Sequence, residues 1–338
     1  MSRKVALILS LMPMSPVKSG MQNTIFFLHK YLRENKVICK FSCFENSNRI
    51  DPVINLKFNK KDYKIIEKAI SLNKPDYIFV NTSKLLYLYK DLLLKINRKF
   101  KIILVGHDLY FFRKRYFKKI NIIDKTPLIN KEEIKVIKDS DFIIDISHEE
   151  KKYLLSKKID SKKIVFTNTP VRVKKISKFN KKFDFVYLGS SWRQNILSLN
   201  YLYKNLILKL PHLKFLVLGM KKIEGYADNV FFKPFKRNYL INCSYGLAFI
   251  KFGSGRNVKI FDMMSSGIPV ITNKKLDAYG LRKNSHYVFA KNISDCLIKI
   301  SKISNNKNLR KKISKNCFLW SLQNSNYLRA FEKLKNIV

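Results

Sequence analysis

The stretch Gly246–Leu281, GLAFIKFGSGRNVKIFDMMSSGIPVITNKKLDAYGL, gathers the residue types that an anionic ligand needs. Gly253-Ser254-Gly255 reads as a turn whose backbone can approach a ligand closely, because glycine has no Cβ. Arg256, Asn257 and Lys259 then read as the start of a helix. The free N–H groups of a first turn and its dipole favour negative charge. Asp262 follows one turn later. Ile268–Thr272 reads as a buried strand, with Pro269 at its start where proline is tolerated. A glycine turn, a cationic helix start and a strand together suit a phosphate or a diphosphate. A glycine turn alone would serve any βα connection, so the chemistry rests on Arg256, Lys259 and Asp262.

Other candidates sit at the ends of apolar runs. His107-Asp108 follows Lys101–Val105. In a cleft, Asp108 could act as a general base; otherwise it caps the next helix. Gly189-Ser190-Ser191-Trp192-Arg193-Gln194-Asn195 follows Phe183–Leu188. There Arg193 either reaches a phosphate or opens a solvated helix. Gly20 closes the loop MPMSPVKSG after the first run, Val5–Leu11. Asp139-Ser140-Asp141 spells D-x-D but leads into an apolar strand, so it reads as a helix end and turn. Ser147 before His148, Glu149 and Glu150 has the form of an N-cap with acids in the first turn. Cys39 and Cys43 lack a matching Cys or His pair, so no zinc site is expected.

The elements that must position these residues alternate. Strands are expected at Val5–Leu11, Val37–Phe44, Asp76–Val80, Lys101–Val105, Ser140–Ser147 and Ile164–Asn168. Between them lie helices at Ile25–Arg33 (capped by Thr24), Lys61–Ser71, Leu85–Ile96 and His148–Ser156. The basic segment Val173–Lys182 reads as a linker. A second βα series then runs through Phe183–Leu188, Leu213–Leu218 and Val230–Lys233. Such alternation implies an α/β fold with mainly parallel sheets, whose ligands sit beyond the carboxyl ends of the strands. Eight of the chain's 10 glycines fall between Gly189 and Gly280, which draws attention to the second half.

These motifs resemble the donor-binding motif of the GT-B glycosyltransferases, especially those of glycosyltransferase family 4. The matching pattern is G-S-G-x-x-x-K-I-x-E-x-x-x-x-G-x-P-V-V. D-F-I-I-D-I-S-x-E, F-V-Y-L-G-S…N and L-V-L-G also occur in the family's order. The resemblance implies two Rossmann-like domains whose parallel sheets face each other across a cleft. Residues 1–172 would form the acceptor domain and 183–306 the nucleotide-sugar donor domain. The C-terminal helices, 307–338, would cross back to the first. It implies that Arg256 and Lys259 hold the donor diphosphate and that Asp262 binds the ribose. Ser254, Gly255, Asn257, Gly20, Gly189 and Arg193 would line the donor site. His107 and Asp108 would lie near the reacting carbon. Two departures stand out: Asp262 replaces a glutamate, and Ser254 replaces a second acid near the donor sugar.

The implied reaction is transfer of a sugar, with retention of configuration, from a nucleotide sugar. The acceptor would be a glycan or lipid-linked glycan in bacterial polysaccharide, lipopolysaccharide or capsule assembly. No metal or other cofactor is expected, because cationic side chains can neutralise the diphosphate. A nucleotide-sugar epimerase of the same fold and a basic nucleic-acid-binding protein are the alternatives.

The formal net charge of +44 over 338 residues points to an anionic partner such as a membrane surface. A/T-rich codons, which encode lysine, asparagine, isoleucine, phenylalanine and tyrosine, could alone supply much of the lysine. Tyr110–Lys119, YFFRKRYFKK, would place Phe112, Arg115, Tyr116 and Lys119 on adjoining helix faces, suited to an anionic bilayer or to stacking on RNA. Nucleic acid is not the expected partner. Five scattered cysteines argue against a disulfide framework, and no apolar run reaches the ~18 residues of a membrane span. A cytoplasmic protein, peripheral at the inner membrane face, is expected.

Overall fold

A computed structural model describes residues 3–14, 20–43, 60–96, 99–119, 121, 128, 130–144, 146–173, 182–251, 256–304 and 306–338. Its contacts divide the chain into two compact units. The first holds Met1–Pro170, Ser254–Arg256 and Ala330–Val338; the second holds Val171–Gly253 and Asn257–Arg329. Each unit contains one six-stranded sheet.

In the first unit the strands are β1 (Val5–Ser10), β2 (Ile38–Cys43), β3 (Tyr77–Asn81), β4 (Lys101–Val105), β5 (Phe142–Ile144) and β6 (Ile164–Val165). The helices are α1 (Gly20–Glu34), α2 (Lys60–Asn73), α3 (Ser83–Lys95), α4 (Tyr110–Lys119), α5 (Asn130–Asp139) and α6 (His148–Ser156). The sheet order is β2-β1-β3-β4-β5-β6, and every pair is parallel. Strands buried on both faces need continuous apolar runs. Ala6, Ile8, Leu9, Ile78, Phe79, Val80 and Ile102–Val105 supply them, all fully buried. Strand order reverses between β1 and β3, which makes that crevice the switch point.

The second unit contains β7 (Phe183–Leu188), β8 (Phe215–Leu218), β9 (Val230–Lys233), β10 (Cys243–Ala248), β11 (Val270–Thr272) and β12 (Val288–Phe289). Its helices are α7 (Arg193–Asn205), α8 (Val258–Met264), α9 (Ile293–Ser304), α10 (Lys307–Asn324) and α11 (Tyr327–Ala330). The order is β12-β11-β10-β7-β8-β9, again all parallel. Here the switch point falls between β7 and β10. The residues after those two strands are the ones the sequence singles out.

Several expected elements differ in their bounds. Thr24 lies inside α1, which starts at Gly20, and its Oγ1 donates to the Gly20 carbonyl four residues back. Of the strand expected at Ser140–Ser147, Phe142–Ile144 is extended; Asp141 just before it accepts the Ile102 N–H through its side chain at 2.7 Å, and Asp145 lies outside the described residues. Near the C-terminus, Leu334 and Phe331 are buried, and Phe331 packs on Tyr31 of α1 with ring centroids 5.7 Å apart. The linker residues 174–181 lie outside the described residues. Among the described residues no helix is long and apolar enough to cross a membrane.

One glycine of the second unit answers directly to the protein's own packing. Gly219 sits at φ +92, and a Cβ there would lie 2.8 Å from the Gly189 carbonyl oxygen. Side chains rarely adopt that φ, and a backbone atom cannot swing away. Gly219→Ala is therefore expected to lower stability by about 1–3 kcal/mol, read as a fall in the thermal midpoint. An unchanged midpoint would show that the β7 and β8 loops are not packed this closely.

Candidate functional site

At the switch point of the second unit, α7 and α8 bring their first turns together. Trp192 holds the N-cap position of α7, and Arg193 follows, exposed. Asn195 is oriented by its own neighbourhood. Its Nδ2 donates to the Ser190 carbonyl at 3.2 Å and to Ser190 Oγ at 3.3 Å. This leaves Oδ1 facing α8, where it accepts a hydrogen bond from Lys259 Nζ at 2.9 Å. The ammonium also lies 4.9 Å from the centroid of the Tyr187 ring. Among the described residues Lys259 pairs with no carboxylate. Burial pulls its pKa down to about 8, since desolvation penalises the charged form. The result is a cation supported by an amide and an aromatic face, with its charge left for a ligand.

Asp262 follows on the same helix. Its Oδ1 lies 3.4 Å from Arg237 Nη1. Burial raises its pKa and Arg237 opposes that rise. Asn257 precedes α8 in the left-handed conformation, φ 53, and its carbonyl accepts the Ile260 N–H at 2.9 Å. The helix thus starts at Val258, two residues later than the Arg256 start that the sequence suggests.

Arg256 has a separate set of partners. Its Nε and Nη2 donate to the Ile146 carbonyl at 2.9 and 2.6 Å. The guanidinium lies 5.3 Å from the Phe166 ring centroid, and the residue is only 6% exposed. By its contacts it belongs to the first unit. Ser254 and Gly255, expected to line the donor site, lie outside the described residues. Gly189 closes β7, and a Cβ there would meet Met220 Cε at 2.8 Å.

In the first unit, a cavity of about 10 Å³, room for one water, lies beside the switch point. Met21, Thr82, Ser83, Lys84, His107, Asp108, Tyr110 and Arg113 line it. Gly20 opens α1 one residue before Met21. His107 sits at φ 42 and Thr82 at φ 87. Positive φ is uncommon for histidine and a real outlier for a β-branched residue. Two such conformations at the ends of adjacent strands mark a constrained site. Lys84 and Arg113 are nearly fully buried.

Two buried carboxylates fix the segment after His107-Asp108. Glu133 Oε1 accepts from Ser83 Oγ at 2.5 Å and from the Tyr110 N–H at 2.6 Å; Oε2 accepts the Phe111 N–H at 2.8 Å. Glu150 takes the Leu109 N–H at 2.6 Å and closes a capping box with Ser147. Burial pushes Glu133 up to about 7. Burial, with Asp108 as the second cause, also raises Glu150. The sequence shows the N-cap at Ser147 but not these distant contacts. No spacing rule links Glu133 to residue 110, or Arg237 to Asp262. Asn195 reads in sequence as a cap or a residue of the helix, with nothing there that points to Lys259. Among the described residues no cluster of three or more His, Cys, Asp or Glu could hold a metal.

No family model matches the chain. No curated protein matches its sequence. Solved structures do match the fold. HepE of Anabaena, in complex with UDP and glucose, superposes with a TM-score of 0.72 at 11% identity over 99% of both chains. TarM gives 0.71 at 12% identity, also over 99% of both. Sucrose-phosphate synthase of Thermosynechococcus elongatus gives 0.73 at 11% identity, over 99% of this chain and 98% of that one. With its two six-stranded parallel sheets, the chain has the GT-B fold.

Proposed function

We propose that the protein is a nucleotide-sugar-dependent glycosyltransferase. The observation that carries this reading is the Lys259 ammonium at the second unit's switch point, held by Asn195 and Tyr187 and paired with no carboxylate among the described residues. A diphosphate leaving group gains negative charge as the bond to the sugar breaks. A preorganised cation in a water-poor site stabilises that charge more than the ground state. Asp262 would accept from the ribose hydroxyls, and the exposed Arg193 would reach the phosphates. The resemblance to donor-binding motifs and the UDP in the HepE structure agree with this assignment.

In the retaining form of the reaction, the bond from the anomeric carbon to the diphosphate breaks. The acceptor oxygen bonds to that carbon on the same face, and its proton passes to the departing phosphate oxygen. The first unit then serves the acceptor, with His107 and Asp108 near the reacting carbon or the acceptor hydroxyl. An acceptor in a surface glycan or lipid-linked glycan, and a site of action at an anionic membrane face, fit the net charge of +44. Cations do the neutralising, so activity should survive a chelator.

The test is a panel of nucleotide sugars screened by thermal shift. A ligand at 100 times its Kd stabilises the folded state by about 2.7 kcal/mol. One nucleotide sugar should raise the midpoint by several degrees, and mass spectrometry should then show its sugar on a glycan acceptor. Binding without transfer, together with epimerised donor, would favour an epimerase. No shift with any donor, but RNA affinity that falls steeply with salt, would replace the reading with nucleic-acid binding.

A further inference from the structure

Arg237 opens the short 3-10 turn Arg237–Asn242 after β9. Its strong bonds go to the end of α8. Nη2 donates to Ser265 Oγ at 2.6 Å and to Ser266 Oγ at 2.9 Å. Both serines are almost completely buried. Each in turn donates to the Asp262 carbonyl, at 2.9 and 3.3 Å. Ser265 Oγ also lies 3.4 Å from the Arg172 carbonyl oxygen. The guanidinium is therefore anchored by hydroxyls at a helix C-terminus, where a cation is favoured.

Its contact with the Asp262 carboxylate is looser. Nη1 lies 3.4 Å from Oδ1, well beyond the ~2.7–2.9 Å of a tight charge-assisted bond. Oδ2 accepts no hydrogen bond from any described residue. The Arg237 Nε–H is buried and likewise has no partner among the described residues. A tight bidentate pair would satisfy both groups and close the site. This arrangement instead orients the carboxylate and favours its charged form, while leaving an acceptor oxygen to spare.

We infer that Arg237 is a positioning residue for nucleotide recognition: anchored on Ser265 and Ser266, it aims the Asp262 carboxylate at the ribose diol of a nucleoside diphosphate. The inference rests on the proposed donor site and assigns a residue that the motif does not contain. Asp262 is one methylene shorter than the glutamate of the resembling motif, so its carboxylate sits closer to the helix. The guanidinium reaches it there from the neighbouring turn.

The experiment compares the preferred nucleoside diphosphate with its 2′-deoxy form by calorimetry, with inorganic pyrophosphate as a control. A hydrogen bond to a charged group contributes ~1.5–3 kcal/mol, so the wild type should favour the ribonucleotide about tenfold or more. In Arg237→Gln that preference should fall towards one while pyrophosphate affinity is unchanged. Asp262→Asn should lose the same preference, and it leaves the Arg237–serine anchor in place should Arg237→Gln fail to fold. Arg237→Lys should restore part of it. Full preference retained in a folded Arg237→Gln, or in Asp262→Asn, would overturn the inference, as would a wild type that binds both forms equally. A wild type that binds no nucleoside diphosphate would instead remove the donor site itself.

Discussion

Lys259→Ala should reduce transfer at least about 100-fold, on the scale of losing one preorganised donor to a developing anion. The fold should survive the change. Among the described residues the side chain makes one hydrogen bond, to Asn195, and lies over one ring, that of Tyr187. Removing it also removes a burial cost rather than leaving a buried charge unpaired. The wild-type pH profile carries a second signature. With a pKa of about 8 in the free protein, the ammonium is lost as pH rises through that value. Only the protonated form attracts a diphosphate. Donor affinity should therefore be flat below about pH 7 and fall by up to tenfold per unit above 8. Wild-type turnover in a folded Lys259→Ala protein would remove Lys259 from the chemistry.

Glu133→Ala should be the most destabilising single change near the first unit's cavity. It strands the Tyr110 and Phe111 N–H groups and the Ser83 hydroxyl in a site where Glu133 is 2% exposed. Each unsatisfied buried group costs ~1–3 kcal/mol, so a loss of about 3 kcal/mol or more is expected by chemical denaturation. The charge can be tested separately with Glu133→Gln. The folded-state pKa, about 7, lies above the usual carboxylate value because of burial. A group raised in this way stabilises the fold fully below its unfolded pKa, and the contribution is lost as pH rises through about 7. Glutamine has no such titration. The stability gap between wild type and Glu133→Gln should therefore narrow from about pH 5 to pH 8. A gap that stays flat over that range would mean that the three donors hold the carboxylate ionised throughout.

Much of the scaffold is readable from residue order alone. Runs such as Val5–Ser10 and Lys101–Val105 have to be buried strands, because nothing else hides so many apolar side chains in so few residues. β10 is harder to read. It begins Cys243-Ser244-Tyr245-Gly246, and its glycine looks like a turn. That glycine is needed because a Cβ would lie 2.5 Å from Met263 Sδ of α8. β12 has only two residues and offers no pattern. Around α8, Lys259 and Asp262 are visible through their spacing on one helix. Arg237 is not, since 25 residues separate it from Asp262 and only the sheet order brings them together. The sequence does not single out Glu133. Its real partners lie 22, 23 and 50 residues away, a distance no local pattern encodes.

The central claim is that Lys259 holds the phosphates of a nucleotide at the β7/β10 switch point. Titration calorimetry of the wild type and Lys259→Ala with UDP, GDP and ADP, in the absence of acceptor, tests it most directly. One diphosphate should bind the wild type with one-to-one stoichiometry and bind the variant at least about tenfold more weakly, a single charge-assisted contact being worth that much. Equal binding to both proteins, or no binding of any nucleoside diphosphate to the wild type, would contradict the account.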